Sequence, residues 1–507
     1  MRYLLGIDLG TSGTKTVLFD ENGVSVASAT VEYPMYQPQN GWSEQDPADW
    51  WNAAVSTVKT VLDKSGVPAA SIAGLGISGQ MHGLVMLDEN GEVLRRSIIW
   101  NDGRTGEECR EITEIIGKDR LVEITANPAL TGFTAGKIRW VQKNEPELYK
   151  RCAHILLPKD YVRYMLTGVC ATEVSDASGM QLLDVPKRQW SDEVLGKLGI
   201  DKALLGSMHE SCEVTGTVTA KAAALTGLKE GTPVVGGAGD NAAAAIGTGV
   251  VRTGSAFATI GTSGVVFAHS DTVAIDPQGR VHSFCSAVPG AWTVMSCTLA
   301  AGLSLKWFRD TFCAAETATA AGMGVDPYML MDKQADRVPI GADRLLFLPY
   351  LMGERSPLLD ENARGAFIGL SAIHTRQHLL RAVMEGVMYS QRHCLDVLRE
   401  MKVAPAMITA SGGGGTSPVW RQMMADVFGV PVNTIKNREA PALGVAILAG
   451  VGTGVYASVQ EACDRIIRVN EPQAPIADNV NTYEPFYQIY RSLYPKLKES
   501  CVALAAL

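Results

Sequence analysis

What this chain lacks narrows its chemistry first. Its ten cysteines are scattered from Cys109 to Cys501 with no C-x-x-C pair, and its eight histidines form no H-E-x-x-H. Those absences argue against thiolate zinc sites and zinc-protease helices, and buried reduced thiols in the cytoplasm are the economical reading. No G-x-x-x-x-G-K-[ST] occurs, so P-loop chemistry is excluded. No basic run stands out in a chain of net charge −8, and nucleic acid is not an expected partner. The chain opens directly on strand residues, with no charged segment leading an apolar one, so nothing points to export. Residues 281–305 carry no Asp, Glu, Lys or Arg, but His282, Pro289 and several serines make a core strand-turn-strand-helix the expectation, not a membrane span. His374 and His378 share an i,i+4 spacing without a general base between them, and read as solvated residues at a helix start.

What is present organises around the first hairpin. Two apolar runs, Leu4-Leu5-Gly6-Ile7-Asp8-Leu9 and Thr16-Val17-Leu18-Phe19, flank Gly10-Thr11-Ser12-Gly13-Thr14. Such a turn offers hydroxyls and unobstructed backbone N–H groups to a phosphate. Asp8, at the end of a buried strand, needs a partner, which a nucleotide's hydrated Mg²⁺ would supply; bonding to its own turn is the plainer alternative. The same Gly-Thr-Ser-Gly string, again between apolar strands, returns at Gly261-Thr262-Ser263-Gly264, 251 residues further on. A 507-residue chain accommodates two large domains, and the repeat suggests two related ones facing a single ligand. Thr259 stands where Asp8 would recur, so the halves differ and one metal site is expected, at Asp8.

Along the first half, a third strand is expected over residues 24–33. Asp46-Pro47 then reads as N-cap and N1 of an amphipathic helix that runs to about Lys64 and stops at Gly66. A strand follows at 72–78, which makes the opening mixed α/β, not the βαβ start of a dinucleotide-binding domain. Gly74-Leu75-Gly76-Ile77-Ser78-Gly79 matches G-x-G-x-x-G, yet residues 84–94 read as a hairpin where that fingerprint needs a helix, so it is discounted. Further on, the glycine loop before Asp240 leads an alanine-rich helix. Its dipole keeps the Asp240 carboxylate ionised and able to take a proton; the bland reading is a capped helix. In the second half, a strand at 407–410 runs into Ser411-Gly412-Gly413-Gly414-Gly415 and a helix from about Ser417, where N–H groups face a nucleotide in a cleft between domains. An amphipathic helix is expected from about Thr482 to the end, on an unassigned domain.

These segments together resemble the FGGY carbohydrate kinases of the actin and hexokinase superfamily over nearly the whole chain. Residues 132–144 fit the family's first signature, and residues 365–370 continuing through 378–385 its second. The resemblance implies an α/β fold of two actin/hexokinase-like (ribonuclease H-like) domains, 1–248 and 249–507, with a nucleotide and sugar cleft between them. It implies ATP and Mg²⁺ as cofactors, with catalytic roles for Asp240, as proton acceptor, and Asp8, as organiser of the metal. Gly10, Thr11, Ser12 and Lys15, with Gly261, Thr262 and Ser263, become the phosphate loops, and Gly413 and Gly414 the adenosine loop. Met81, His82, Asn241 and Trp100, with Asp240, are implied at the sugar. Asp102 and Arg104 are expected as a buried pair orienting that loop. Likeness is strongest to members that phosphorylate D-xylulose, the step that brings xylose into the pentose phosphate pathway. Kinases for another ketose, polyol or sugar acid, or an actin-like ATPase switch, stand as alternatives. A small-molecule sugar and ATP are the implied partners, with no membrane, and a homodimer is allowed.

Overall fold

The structure, a computed structural model, describes residues 1–436 and 439–507. In the first half lie β1 (Tyr3–Leu9), β2 (Gly13–Asp20), β3 (Ser25–Glu32), α1 (Pro47–Ser65), β4 (Ile72–Gly79), β5 (Val214–Thr217), β6 (Pro233–Val235), β7 (Ala238–Gly239) and α2 (Asp240–Gly247). The second holds β8 (Ser255–Ile260), β9 (Gly264–Ser270), β10 (His282–Cys285), β11 (Trp292–Thr298), α3 (Gly302–Phe312), α4 (Arg376–Glu400), β12 (Met407–Ser411), α5 (Pro418–Phe428), β13 (Val432–Asn433), α6 (Ala440–Gly452) and α7 (Ala477–Ala505).

Two mixed sheets dominate. The first runs β5-β6-β4-β1-β2-β3, with β7 also on β4; the second runs β10-β11-β9-β8-β12-β13. Each has a central strand, β1 or β8, antiparallel to the strand after its glycine turn and parallel to a later strand on its other side. The expected repeat is therefore a repeat of topology: β3-β2-β1-β4-β6 corresponds to β11-β9-β8-β12-β13.

The local expectations rest on caps that the structure contains. Asp46 accepts from the Ala48 N–H, Pro47 opens α1, and Gly66, at φ 62°, closes it on the Leu62 carbonyl. Ser417 caps α5 in the same manner. His378 lies on the first turn of α4 and takes part in a capping box with Thr375. The expected hairpin over 84–94 is present: the Asp88 N–H donates to the Glu92 carbonyl at 3.0 Å and the Leu94 N–H to the Met86 carbonyl at 2.9 Å, with Leu87 facing Val93, while the strand Val85–Leu87 also pairs on its other edge with His154–Leu156.

Alternation along β1 sends Leu5, Ile7 and Leu9 toward Trp50, Ala54 and Val58 of α1, while Leu4 joins the cluster of α6. Helix α6 follows the second sheet in sequence yet packs on the first, where added Cβ atoms at Gly6 and Gly76 would overlap the Ala442 and Val445 carbonyls. Conversely, Ala245 of α2 joins Phe257 and Phe267 of the second sheet. Thus α6 serves the opposite sheet, while α2 packs on α6 through Ala242, Ala243 and Ile246 and reaches the second sheet at Ala245. Lacking a polar face, α6 is buried from Ala442 through Gly450. The final helix starts at Ala477, five residues before the expected start, and packs on the second half through Tyr483, Tyr487 and Tyr490.

Gly444 and Gly247 let the crossed helices touch, since a Cβ on either would overlap the carbonyl of Ala243 or Ala440. Gly444→Ala should therefore destabilise by about 1–3 kcal/mol, the usual overpacking cost, as a lower urea midpoint at unchanged slope.

Candidate active site

The first turn is tied on both flanks. Gly10 N–H donates to the Gly13 carbonyl at 3.0 Å, and the Tyr33 hydroxyl donates to the Gly10 carbonyl. Trp100 Nε1 donates to Thr11 Oγ1 at 2.9 Å, and Gln45 Nε2 to the Thr11 carbonyl at 2.7 Å. So Trp100, expected at the sugar, is hydrogen-bonded to the first glycine-hydroxyl turn, while Ser12 is exposed at its tip. Asp8 faces Lys15 across the hairpin, and Lys15 Nζ reaches Glu439 Oε2, at the start of α6, at 2.5 Å.

The second turn rests on the start of α3. Gly302 N–H donates to the Gly261 carbonyl at 2.7 Å, and the Ala301 and Leu303 N–H groups donate to the Thr262 carbonyl at 3.1 Å. Thr259, in the place of Asp8, accepts from the Val265 N–H and so closes its own hairpin. Beside this turn opens a cavity of about 450 Å³ lined by Gly261, Thr262, Gly413, Gly414, Lys306, Tyr328, Asp332 and Trp420, a nucleoside-sized space. The expected Gly261, Thr262, Gly413 and Gly414 thus share one cavity. Its opposite wall, from α3 and the helix Pro327–Ala335, was not foreseen; Asp326-Pro327 announces a helix start, but nothing local says what that start faces.

Asp240 is the first residue of α2. Its Oδ1 accepts from the Asn241 N–H at 2.7 Å and from Asn241 Nδ2 at 3.0 Å. Burial, then repulsion from Asp8, pushes its pKa up to about 7, against the pull of those two bonds. Burial likewise raises Asp8, and the Ser78 hydroxyl and Lys15 only partly offset it. Asp8 and Asp240 lie close enough to repel, and Lys15, opposite Asp8, is engaged by Glu439, so a cation beside the two aspartates would relieve them. The donors are hard carboxylate oxygens, suited to a Mg²⁺ that keeps most of its waters and arrives on phosphate.

Next to Asp240, a Cβ on Gly239 would crowd Met81 Cγ at 2.9 Å. His82 has φ 69°, and its Nδ1 lies 3.0 Å from the Gly179 carbonyl. A carbonyl only accepts, so Nδ1 carries the proton and Nε2 is a bare acceptor. Burial and the charge of Lys137 hold the imidazole well below its usual pKa, hence neutral. Lys137 itself, unsingled in the sequence although it lies in the first signature, donates to the His82 and Gly132 carbonyls at 2.8 and 2.7 Å. Complete burial lowers its pKa to about 7. Phe133 braces the imidazole at 4.7 Å between centroids. Asp102 and Arg104 form the expected buried pair at 2.7 Å, with the guanidinium over Trp42.

Two copies of one sheet order, clasping crossed helices and each ending in a glycine-hydroxyl turn, constitute the actin- and hexokinase-type architecture, and the class is that of a two-domain sugar kinase. The N-terminal domain model of the FGGY family of carbohydrate kinases matches residues 3–247, and the C-terminal domain model matches residues 256–453. The chain belongs to that family. It is 40% identical to a xylulose kinase of Bacillus subtilis over 504 residues, 99% of each chain, and 32% identical to a gluconokinase of the same organism over 99% of this chain and 98% of that one. A solved xylulose kinase from Rhodospirillum rubrum superposes with a TM-score of 0.92 at 32% identity, covering 99% of this chain and 100% of that one.

Because the fold raises the Asp240 pKa above that of an unfolded chain, the native state binds the extra proton, and stability falls as pH rises from about 4 to about 7. Asp240→Asn should therefore raise the melting temperature of the ligand-free protein at pH 8, with the gain fading toward pH 4, read by differential scanning calorimetry.

Proposed function

We propose that the protein transfers the γ-phosphoryl group of ATP to the terminal hydroxyl of D-xylulose, giving D-xylulose 5-phosphate. The observation that carries this reading is Asp240: a carboxylate whose pKa is pushed up to about 7, following a Gly239 packed on Met81 and close enough to Asp8 to be repelled by it. The acceptor hydroxyl gives its proton to Asp240 as its oxygen attacks γ-phosphorus, and the bond to the β–γ bridging oxygen breaks, leaving ADP. Gly10 to Ser12 with Lys15, and Gly261 to Ser263, hold phosphate oxygens; Gly413 and Gly414 flank adenosine. Asp8 would hold Mg²⁺, which when bound offsets phosphate charge. Asn241 and Trp100 complete the sugar pocket.

The neutral His82 favours a ketose over a sugar acid, because a bare imidazole nitrogen accepts from a hydroxyl and repels a carboxylate. The gluconokinase relative keeps the second reading alive. Residues 1–248 carry the sugar pocket and base and 249–507 the adenosine cavity, and the halves close on substrate about the crossed helices. Ten free thiols support a cytoplasmic setting.

ADP release over a panel of ketoses, polyols and aldonates tests the reading: D-xylulose should give the highest kcat/KM, and a preference for gluconate would overturn the assignment. Asp240→Asn should lower kcat about 10²- to 10⁴-fold with modest change in sugar KM. In the parent enzyme kcat/KM should fall as the pH drops below about 7, because the base is then protonated.

A further inference from the structure

The loop Gly353-Glu354-Arg355-Ser356-Pro357 carries a cation with no assigned task. Among the described residues the half-buried Arg355 guanidinium makes no hydrogen bond and no ion pair. Its neighbour Glu354 does not neutralise it by contact: Glu354 Oε1 accepts from the Leu299 and Arg355 N–H groups at 2.9 and 2.8 Å. A recessed, unpaired guanidinium is unfavourable unless an anion completes it.

The loop's placement says which anion. Ser356 N–H donates to the Cys297 carbonyl at 3.0 Å, and Cys297 and Thr298 of β11 pair with Val265 and Gly264, the residues that follow the second phosphate turn. The backbone of Arg355 is thereby pinned beside that turn. From there its charge also bears on His82 and on His282, helping hold both imidazoles neutral. Those two rings flank Phe133 in the sugar pocket, at 4.7 and 5.7 Å. Arg355 is thus fixed in backbone beside the second turn while its charge is felt at His82 and His282; turn and histidines are the two ends of the path a γ-phosphoryl group crosses.

We propose that Arg355 contacts the phosphoryl group in transfer, as a catalytic cation supplied by the second half of the chain; this rests on the kinase reading above. As the sugar oxygen bonds to γ-phosphorus and the bridging oxygen departs with its electron pair on ADP, negative charge spreads over the three equatorial oxygens. A planar guanidinium meets two such oxygens at once, and Lys places one point charge instead.

The test compares Arg355→Gln and Arg355→Lys with the parent enzyme, using D-xylulose-dependent ADP release, melting temperature and affinity for a nonhydrolysable ATP analogue. The expected result is a kcat loss of about 10²-fold or more in the glutamine variant, partial recovery in the lysine variant, and sugar KM within about threefold of parent. Weaker product inhibition by D-xylulose 5-phosphate should accompany it. A glutamine variant within about threefold of parent kcat overturns the proposal, as does a rise in sugar KM at unchanged kcat, which would make Arg355 a sugar-binding group. If neither variant folds, exogenous guanidinium restoring kcat to Arg355→Ala supports the assignment and its failure to do so overturns it. No sugar-dependent ADP release from the parent over the whole panel sinks the kinase reading itself, a result separable from the variant outcomes.

Discussion

The close crossing of α2 and α6 is the constraint on which the rest depends. Helices normally pack with 8–10 Å between axes, set by the side chains between them. Here Gly247 and Gly444 remove those side chains where the helices meet, and Gly6 and Gly76 do the same between α6 and the first sheet. Helix α6 continues from the second half and seats on the first sheet, and α2 packs against it, so separating the halves would expose that shared core. The same crossing delivers the chemistry, because the N-terminus of α2 presents Asp240 and that of α6 presents Glu439 to Lys15.

That concentration of acid explains the electrostatics. Asp8 and Asp240 both carry raised pKa values, chiefly through burial, to which the charge of Glu439 adds at Asp8 and the charge of Asp8 adds at Asp240. As structure this is a defect; with a cation and polyphosphate in the cleft it becomes complementary. The N-terminal dipole of α2 opposes the shift without reversing it, so Asp240 ends near neutrality, between a spectator carboxylate and a buried acid. Around His82 burial acts first, with the charge of Lys137 next, to keep the imidazole uncharged, and Lys137, donating to the His82 carbonyl, anchors its left-handed backbone.

Features set by short-range chemistry were legible in the sequence: the glycine-hydroxyl turns, the Asp46-Pro47 and Ser417-Pro418 caps, the Gly66 stop, and the recurrence of one hairpin without its aspartate. Each depends on residues within one turn of each other. What the sequence did not announce involves partners far along the chain. Residues 84–94 form the expected hairpin, but nothing local says that Val85–Leu87 also pairs with His154–Leu156. The seating of α6 on the first sheet leaves no local trace, because an apolar helix does not declare which sheet covers it. Lys137 sat unremarked inside a signature whose packing role sufficed to explain it, and the α3 side of the adenosine-sized cavity belongs to residues whose local pattern says only helix.

The two halves therefore share a topology and divide the chemistry. Every carboxylate assigned to the reaction, Asp8 and Asp240, lies in the first half, together with the sugar pocket. The second half, with Thr259 where the first has Asp8, closes its hairpin on itself and contributes the cavity walls and an unpaired guanidinium. A duplicated domain that kept both aspartates would gather still more negative charge around a triphosphate. With Thr259 in that place the second turn carries no carboxylate, and the acidic groups gather on one side of the cleft, around Asp8 and Asp240, while the second half supplies the cavity beside Gly261 and Thr262.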